Sequence, residues 1–343
     1  MREATPTELD SWDDLVRQCK GYRVYHKKAW LESLAEYTGG KPIYLVAEEG
    51  NQVVAYCPGL LVKKLFPKAF GSPLPGWQTE TMGPVVVSGY SASPYLVDSI
   101  LKFLRKSGVL YFEMASSILD SMECGSFHRI PKHTLRIDLQ PSLDEILRHM
   151  NKGAKSGIKK AQRLGLEVRE EHDESFVNEV WEQICEVFTR RGASVPFGRS
   201  RVLSLFTHMK AAGNLLALSV WGPTEVCIAT GIYLVEPPEA ILWMWTHRRQ
   251  WGYCCPTEIM MWTAMQRVKE MGCTTMDLSG GGGNAKTKFG AYPDNSASRW
   301  IWCIHPWFLQ LRTVAERAYR LQQRLRGKSA RWLTQTIRRH PLA

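Results

Sequence analysis

One order of segments occurs twice along these 343 residues, and it restricts the fold more than any other feature. In the first half, PIYLVAEE and QVVAYCPGLLVK alternate apolar residues around Glu49, Gly50 and Asn51, the pattern of a hairpin, and MGPVVV reads as a third strand. The segment 93–107 then puts Leu96, Ile100, Phe103 and Leu104 on one helical face behind a Ser-Pro start, and Gly108 ends the helix before VLYFEMA. In the second half NLLALSVW and EVCIATGIYLV flank Gly222 and Pro223, and AILWMWTH is the third strand. Pro256 opens a helix, Gly272 ends it, and TTMDLSG is the closing strand. Strand, strand, strand, helix, strand, twice over, is a duplicated α/β (α+β) unit in which each helix joins two strands of a mixed, twisted sheet.

Between the halves lie TLRIDL, a helical region from Ser142, and two amphipathic helices near 173–191 and 199–212; RWIWCI and a helix from about Pro306 follow the second half. Pro- and Gly-containing stretches at 71–76 and 192–198 read as loops. The chain therefore divides into an N-terminal domain over 1–140, a C-terminal domain over 141–305 and a tail over 306–343. With 44% hydrophobic and 22% charged residues it can bury a core, which excludes wholesale disorder. The polar, acidic opening and the lack of any run of 18 apolar residues predict neither a secretory leader nor a membrane span. Nine scattered Cys without a C-x-x-C pair predict reduced thiols in a cytoplasm.

The net charge of +11 is concentrated in two places. Between Arg148 and Arg163 stand six basic residues (Arg148, Lys152, Lys155, Lys159, Lys160, Arg163) and no acidic one; from Arg312 onward nine basic residues face Glu316 alone. These stretches exceed the whole chain's charge, so basicity belongs to two surfaces suited to anionic partners. In the tail, Phe308, Leu311, Val314, Ala318, Leu321 and Leu325 recur at helical spacing while Arg312, Arg317, Arg320 and Arg324 take other positions. Such a basic amphipathic helix can pack on its own domain, grip tRNA phosphates or lie on the inner face of an anionic membrane.

Two motifs carry chemistry. Arg249-Gln-Trp-Gly252-Tyr-Cys254 stands between a strand and a helix start, where unpaired N–H groups meet an anion, although a plain turn reads the same way. It is similar to the acyl-CoA loop of GNAT acyltransferases, with Cys254 in place of the final small residue. The second motif, Asp277-Leu-Ser-Gly280-Gly281-Gly-Gly-Asn-Ala-Lys286-Thr-Lys288-Phe289-Gly290, contains four consecutive glycines, which allow a backbone to bend sharply or approach a ligand. Its near match to a phosphate loop is rejected, because Gly290 and Pro293 leave no room for the helix such a loop must enter. Trp243 and Trp245, like Trp300 and Trp302, sit at strand spacing, one face core, with a substrate pocket as the minority reading. Cys124, His128 and His133 lack a fourth ligand, so no metal site is expected.

The segment 277–290 resembles the C-terminal signature of the FemABX peptidyltransferases, an acidic strand end and glycines followed by F-K-x-x-F-G; Lys286, Phe289 and Gly290 keep the pattern and Ala285 departs from it. Asn151 to Ala161 followed by Gly165-Leu-Glu-Val168 is similar to the same family's basic helix and strand. The resemblance implies twin GNAT-like units and N-acylation of a primary amine, in a peptidoglycan precursor or another small molecule, with aminoacyl-tRNA as co-substrate and no bound cofactor. It gives Lys286 the catalytic lysine's place beside Asp277, and leaves Arg249, Gly252, Lys288, Lys155, Lys159 and Lys160 to hold donor phosphates. Gly280, Gly281, Phe289, Trp243 and Trp245 then line the loop and pocket. The helical hairpin that some members insert before the second unit is absent from this sequence. Acyl-CoA as donor, and a non-enzymatic protein binding nucleic acid or a membrane surface, stay open as alternatives.

Overall fold

The computed structural model describes residues 1–63, 68–119, 127–280, 283–310 and 312–314. The strands in chain order are β1 (Arg2–Glu3), β2 (Lys41–Glu49), β3 (Gln52–Val62), β4 (Ala69–Ser72), β5 (Val85–Val86), β6 (Tyr111–Ser116), β7 (His128–Asp138), β8 (Glu167–Glu170), β9 (Leu215–Trp221), β10 (Cys227–Glu236), β11 (Glu239–His247), β12 (Thr275–Asp277) and β13 (Tyr292–Cys303). All belong to one sheet, ordered β1-β2-β3-β4-β6-β13-β7-β12-β11-β10-β9-β8, with β5 paired to β3 outside that path. The duplication is plain in its two parallel pairs, β4 with β6 and β11 with β12, connected through helices Pro94–Lys106 and Pro256–Glu270.

The halves exchange their last strands. β7, which closes the first half in sequence, pairs with β12 of the second, and β13 pairs with β6 of the first; β7 and β13 pair with each other between them. Separating the halves would break these ladders, so the described residues 278–280 and 283–290, between β12 and β13, are held where both halves meet.

Three sequence expectations are corrected. The third strand of the first half is Ala69–Ser72, whose last two residues fall in the stretch 71–76 read as loop from its Gly and Pro content, whereas MGPVVV contributes only Val85 and Val86 to a side pairing with β3. The helical region from Ser142 is two helices: Leu143–His149 is capped reciprocally by Ser142 and Glu145, Met150 is extended, and the Asn151 side chain accepts from the Ala154 amide to start Lys152–Arg163. Trp243 and Trp245 do not share a face. The register of β10 on β11 shifts between Ile232 and Tyr233, a bulge that turns Trp243 and Met244 to the same side and sends Trp245 to the other.

The bulge matters because the two faces carry different helices. Lys152–Arg163 buries Ala154, Gly157, Ile158 and Ala161 beside Pro256–Glu270 on one face, leaving its lysines outward. Lys28–Thr38, Ser175–Arg191 and Arg199–Ala211 cover the other, around Trp30, Val180, Leu205 and Trp243. Trp300 and Trp302 are core, as expected, packed with Phe112. The tail's start is helical over 307–310 and 312–314, and Arg312 Nε donates to Glu113 Oε1 at 2.9 Å; Glu113 is fully buried and also paired with Arg299 at 2.5 Å. The rest of the predicted tail helix, and Cys124 and Gly281, lie outside the described residues. Among the described residues no helix is long and apolar enough to cross a membrane, and no cluster of three His, Cys, Asp or Glu side chains could hold a metal.

Candidate active site

β11 and β12 pair only from Glu239 to Ile241 and from Thr275 to Asp277. Beyond Asp277 they part, and the following residues fold into the gap. Ser279 adopts φ +60° and its Oγ donates to the Leu242 carbonyl at 2.9 Å. Phe289 is buried against Trp245, ring centroids 6.0 Å apart.

Lys286, on the single turn Asn284–Thr287, is 6% exposed. Its Nζ donates to the carbonyls of Leu278, Ser279 (3.3 Å) and Gly280 (3.1 Å), so the ammonium is held by as many acceptors as it has protons. Burial lowers its pKa from the ordinary 10.5, while Glu80 and Asp277 act in the opposite sense. Asp277 is fully buried; Oδ2 accepts from Arg23 at 2.6 Å and Oδ1 from the Ser279 amide at 2.7 Å. The strand-end acid therefore spends both oxygens on holding the turn.

The first half contributes groups that no sequence motif marked. Glu80 accepts from the Gly280 amide at 3.2 Å and pairs with Lys132 at 2.9 Å. Burial opposes its charge, yet Lys132 prevails and holds the carboxyl below its usual range. A Cβ at Gly280 would stand 3.3 Å from the His133 carbonyl, which explains a glycine there.

On the helix face, the basic segment and both chemical motifs come together. A Cβ on Gly157 would lie 2.7 Å from Glu258 Cγ and 3.3 Å from Cys255 Cβ, so helix Lys152–Arg163 sits flush on the start of Pro256–Glu270. Glu258 Oε1 accepts from Lys288 Nζ at 2.7 Å, and the Lys288 carbonyl accepts from the Asn151 amide at 3.0 Å. Arg249 and Gly252 lie exposed on the 3-10 turn Arg249–Cys254. Lys160 Nζ stands 6.0 Å from the Tyr253 ring centre, and Lys155 and Lys159 continue the same outer face.

On the opposite face lies a group that sequence reasoning missed. Arg201 is fully buried and has no carboxylate partner among the described residues; its guanidinium carbon is 4.9 Å from the Trp30 ring centre, 5.6 Å from Trp243 and 5.8 Å from Tyr37. It donates to Ser33 Oγ at 2.8 Å. Arg201 Nε, Trp30 Nε1, Trp243 Nε1 and Tyr25 OH are buried polar atoms without a hydrogen-bond partner among the described residues. Burial pushes the Arg201 pKa down to about 10. The cluster thus holds one desolvated cation among aromatic rings, with several donors left unpaired. Nothing in the local sequence GRSRVLSLF signals this, because the aromatic residues come from both halves.

The fold and these elements define the class. Residues 148–288, through Lys288, match the acetyltransferase (GNAT) domain family, and the described residues have the twin-GNAT fold that the FemABX resemblance implied. That fold is shared with FemX, 12% identical, at TM-score 0.70 over 91% of this chain and 99% of that one. The C-terminal domain of a putative lysylphosphatidylglycerol synthetase from Agrobacterium fabrum is 12% identical, with TM-score 0.51 over 86% of this chain and 91% of that one. A tandem GNAT protein from the clavulanic acid biosynthesis pathway is 15% identical, with TM-score 0.54 over 88% and 95%. No curated protein sequence matches the chain.

Proposed function

We propose that the protein is an N-acyltransferase that moves an aminoacyl group from aminoacyl-tRNA to the primary amine of an acceptor carrying an anionic group, a peptidoglycan precursor or another small molecule. The observation that carries this reading is the fixed ammonium of Lys286, held at the strand ends between a basic helix on one face of the sheet and the Arg201 cluster on the other. The donor approaches from the side of Lys155, Lys159, Lys160 and Arg249, whose charges suit phosphates. The acceptor's anion sits at Arg201. The name of one protein sharing the fold describes lysine joined to phosphatidylglycerol, an aminoacyl group on an acceptor that carries a phosphate, there through a hydroxyl and not an amine.

In the reaction, the acceptor's ammonium gives one proton to solvent and the free amine attacks the ester carbonyl. The carbonyl oxygen takes up negative charge, which Lys286 stabilises by turning one N–H from its backbone acceptors. Collapse breaks the ester C–O bond; the second amine proton leaves with the ribose oxygen, relayed by Lys286, and the amide remains. Asp277 and Arg23 act as positioning residues that hold Ser279 and its neighbours. Acyl-CoA as donor is the second reading, favoured by the match to an acetyltransferase domain.

Equilibrium binding of the purified protein to charged tRNA, titrated with salt and challenged with acetyl-CoA, separates the two. Charged tRNA should bind more tightly than uncharged tRNA and weaken steeply as salt rises. Binding of acetyl-CoA with indifference to tRNA would replace the donor. With a donor in hand, Lys286→Ala should keep donor affinity and lose more than about tenfold in turnover, a loss above about 1.4 kcal/mol. Turnover within tenfold of the parent would remove Lys286 from the chemistry.

A further inference from the structure

We infer that Trp251 and Tyr253 form a stacking platform for an unpaired nucleobase at the 3′ end of an RNA, with the lysines of helix Lys152–Arg163 following its phosphates; the inference rests on the aminoacyl-tRNA reading above. The two rings lie offset, centroids 6.1 Å apart and planes within 24°. Trp251 is half-buried and packs on the core, whereas Tyr253 exposes 61% of its surface. An outer ring backed by a fixed inner one offers a flat face at small entropic cost, and every base has a π-face to lay on it.

A single exposed tyrosine is ordinary on a protein surface. Its neighbours set this one apart. Lys160 Nζ stands 6.0 Å from its ring centre, and the groove beside it is lined by Lys152, Lys155, Ser156, Lys159, Lys160 and Arg163 without a carboxylate. Aromatic rings beside a positive groove are how proteins hold single-stranded nucleic acid without reading its sequence: charge follows the backbone and stacking holds the base. The groove also leads to the reaction centre. Lys160 shares its helix with Gly157, which sits flush against Glu258, and Glu258 pairs with Lys288, two positions after Lys286 in the sequence. A terminal nucleotide seated on Tyr253 then lies on the face that carries the Lys288–Glu258 pair, which leads toward the ammonium's loop.

The test is binding of bulk charged tRNA and of a short single-stranded RNA ending in CCA to the full chain and its variants. Tyr253→Ala should weaken both by about tenfold with the salt slope unchanged, and Tyr253→Phe should stay within about twofold, because stacking needs the ring and not the hydroxyl. Replacing Lys155 and Lys159 together by Ala should instead reduce the salt slope by about two. Parent-like binding by Tyr253→Ala, or an equal loss in Tyr253→Phe, would overturn the platform and leave the tRNA reading standing. A parent protein that binds neither RNA would overturn both. Acetyl-CoA affinity that disappears in Tyr253→Ala would reassign the rings to a coenzyme's adenine and overturn the inference for RNA.

Discussion

Arg23 and Asp277 are 254 positions apart in the chain and 2.6 Å apart in the fold, a buried ion pair at the end of β12. Arg23 also meets Glu239 at 2.6 Å and Thr81 at 2.8 Å, so one guanidinium ties the N-terminal segment to both strands that precede the glycine loop. Removing it strands a fully buried carboxylate. Arg23→Ala is therefore expected to lose about 3–5 kcal/mol of stability, the usual cost of breaking such a pair from one side. Urea unfolding checks this, and a loss below about 1 kcal/mol would contradict the geometry.

Lys286 sets an alkaline limit to activity. Its pKa is depressed by burial below the free value of 10.5, and the proposed step needs the ammonium. Turnover should fall as pH rises, with a midpoint below that value. The sign for stability is opposite: between the folded and unfolded pKa the unfolded chain binds more protons, so this group's contribution rises with pH. A pH–rate profile whose alkaline limb sits at or above the free lysine value would contradict the assignment.

Arg201→Met separates stability from binding. The guanidinium is buried without a counter-charge, so a flexible apolar side chain of similar length should leave stability unchanged or raise it by about 1–4 kcal/mol. The same variant should lose any thermal stabilisation that inorganic phosphate confers on the parent, since an anion that binds only the folded state stabilises by mass action. Melting scans with and without phosphate read both effects; a sharp drop in stability without phosphate would show that Arg201 serves the fold.

His26 accepts from the Arg23 amide at 3.0 Å and is buried, which lowers its pKa to about 4. Above its unfolded value both states are neutral there. As pH falls below about 6.5 the unfolded chain takes up a proton that the folded chain refuses, so stability declines until about pH 4, by on the order of 3 kcal/mol. His26→Gln should flatten stability against pH between about 6.5 and 5, where few carboxylates titrate; an unchanged slope would refute it.

Much of this architecture could be read from local pattern. The hairpins at Glu49 to Gln52 and at Gly222, the helices opened by Pro94 and Pro256, and the core face of Trp300 and Trp302 all follow from apolar periodicity and from Gly and Pro at their ends. These are short-range effects, decided within a few residues. Ala69–Ser72 escaped because a buried parallel strand needs no alternation, and here its pairing with β6 outweighs the Gly and Pro around it.

Lys286 and the basic helix were visible as motifs, since charge and glycine runs stand out in one dimension. Their relation was not. The exchange of β7 and β13, the bulge that separates Trp243 from Trp245, and the seating of Gly157 on Glu258 depend on which strands and helices meet. The Arg201 cluster depends on it most: Tyr25, Trp30 and Tyr37 come from the first half, Arg201 and Trp243 from the second, and each alone is an ordinary core residue. Sequence determined the elements and the chemistry available at their ends, because both are local; tertiary structure decided which residues converge, because burial of a charge and the meeting of distant donors exist only once the chain has closed on itself.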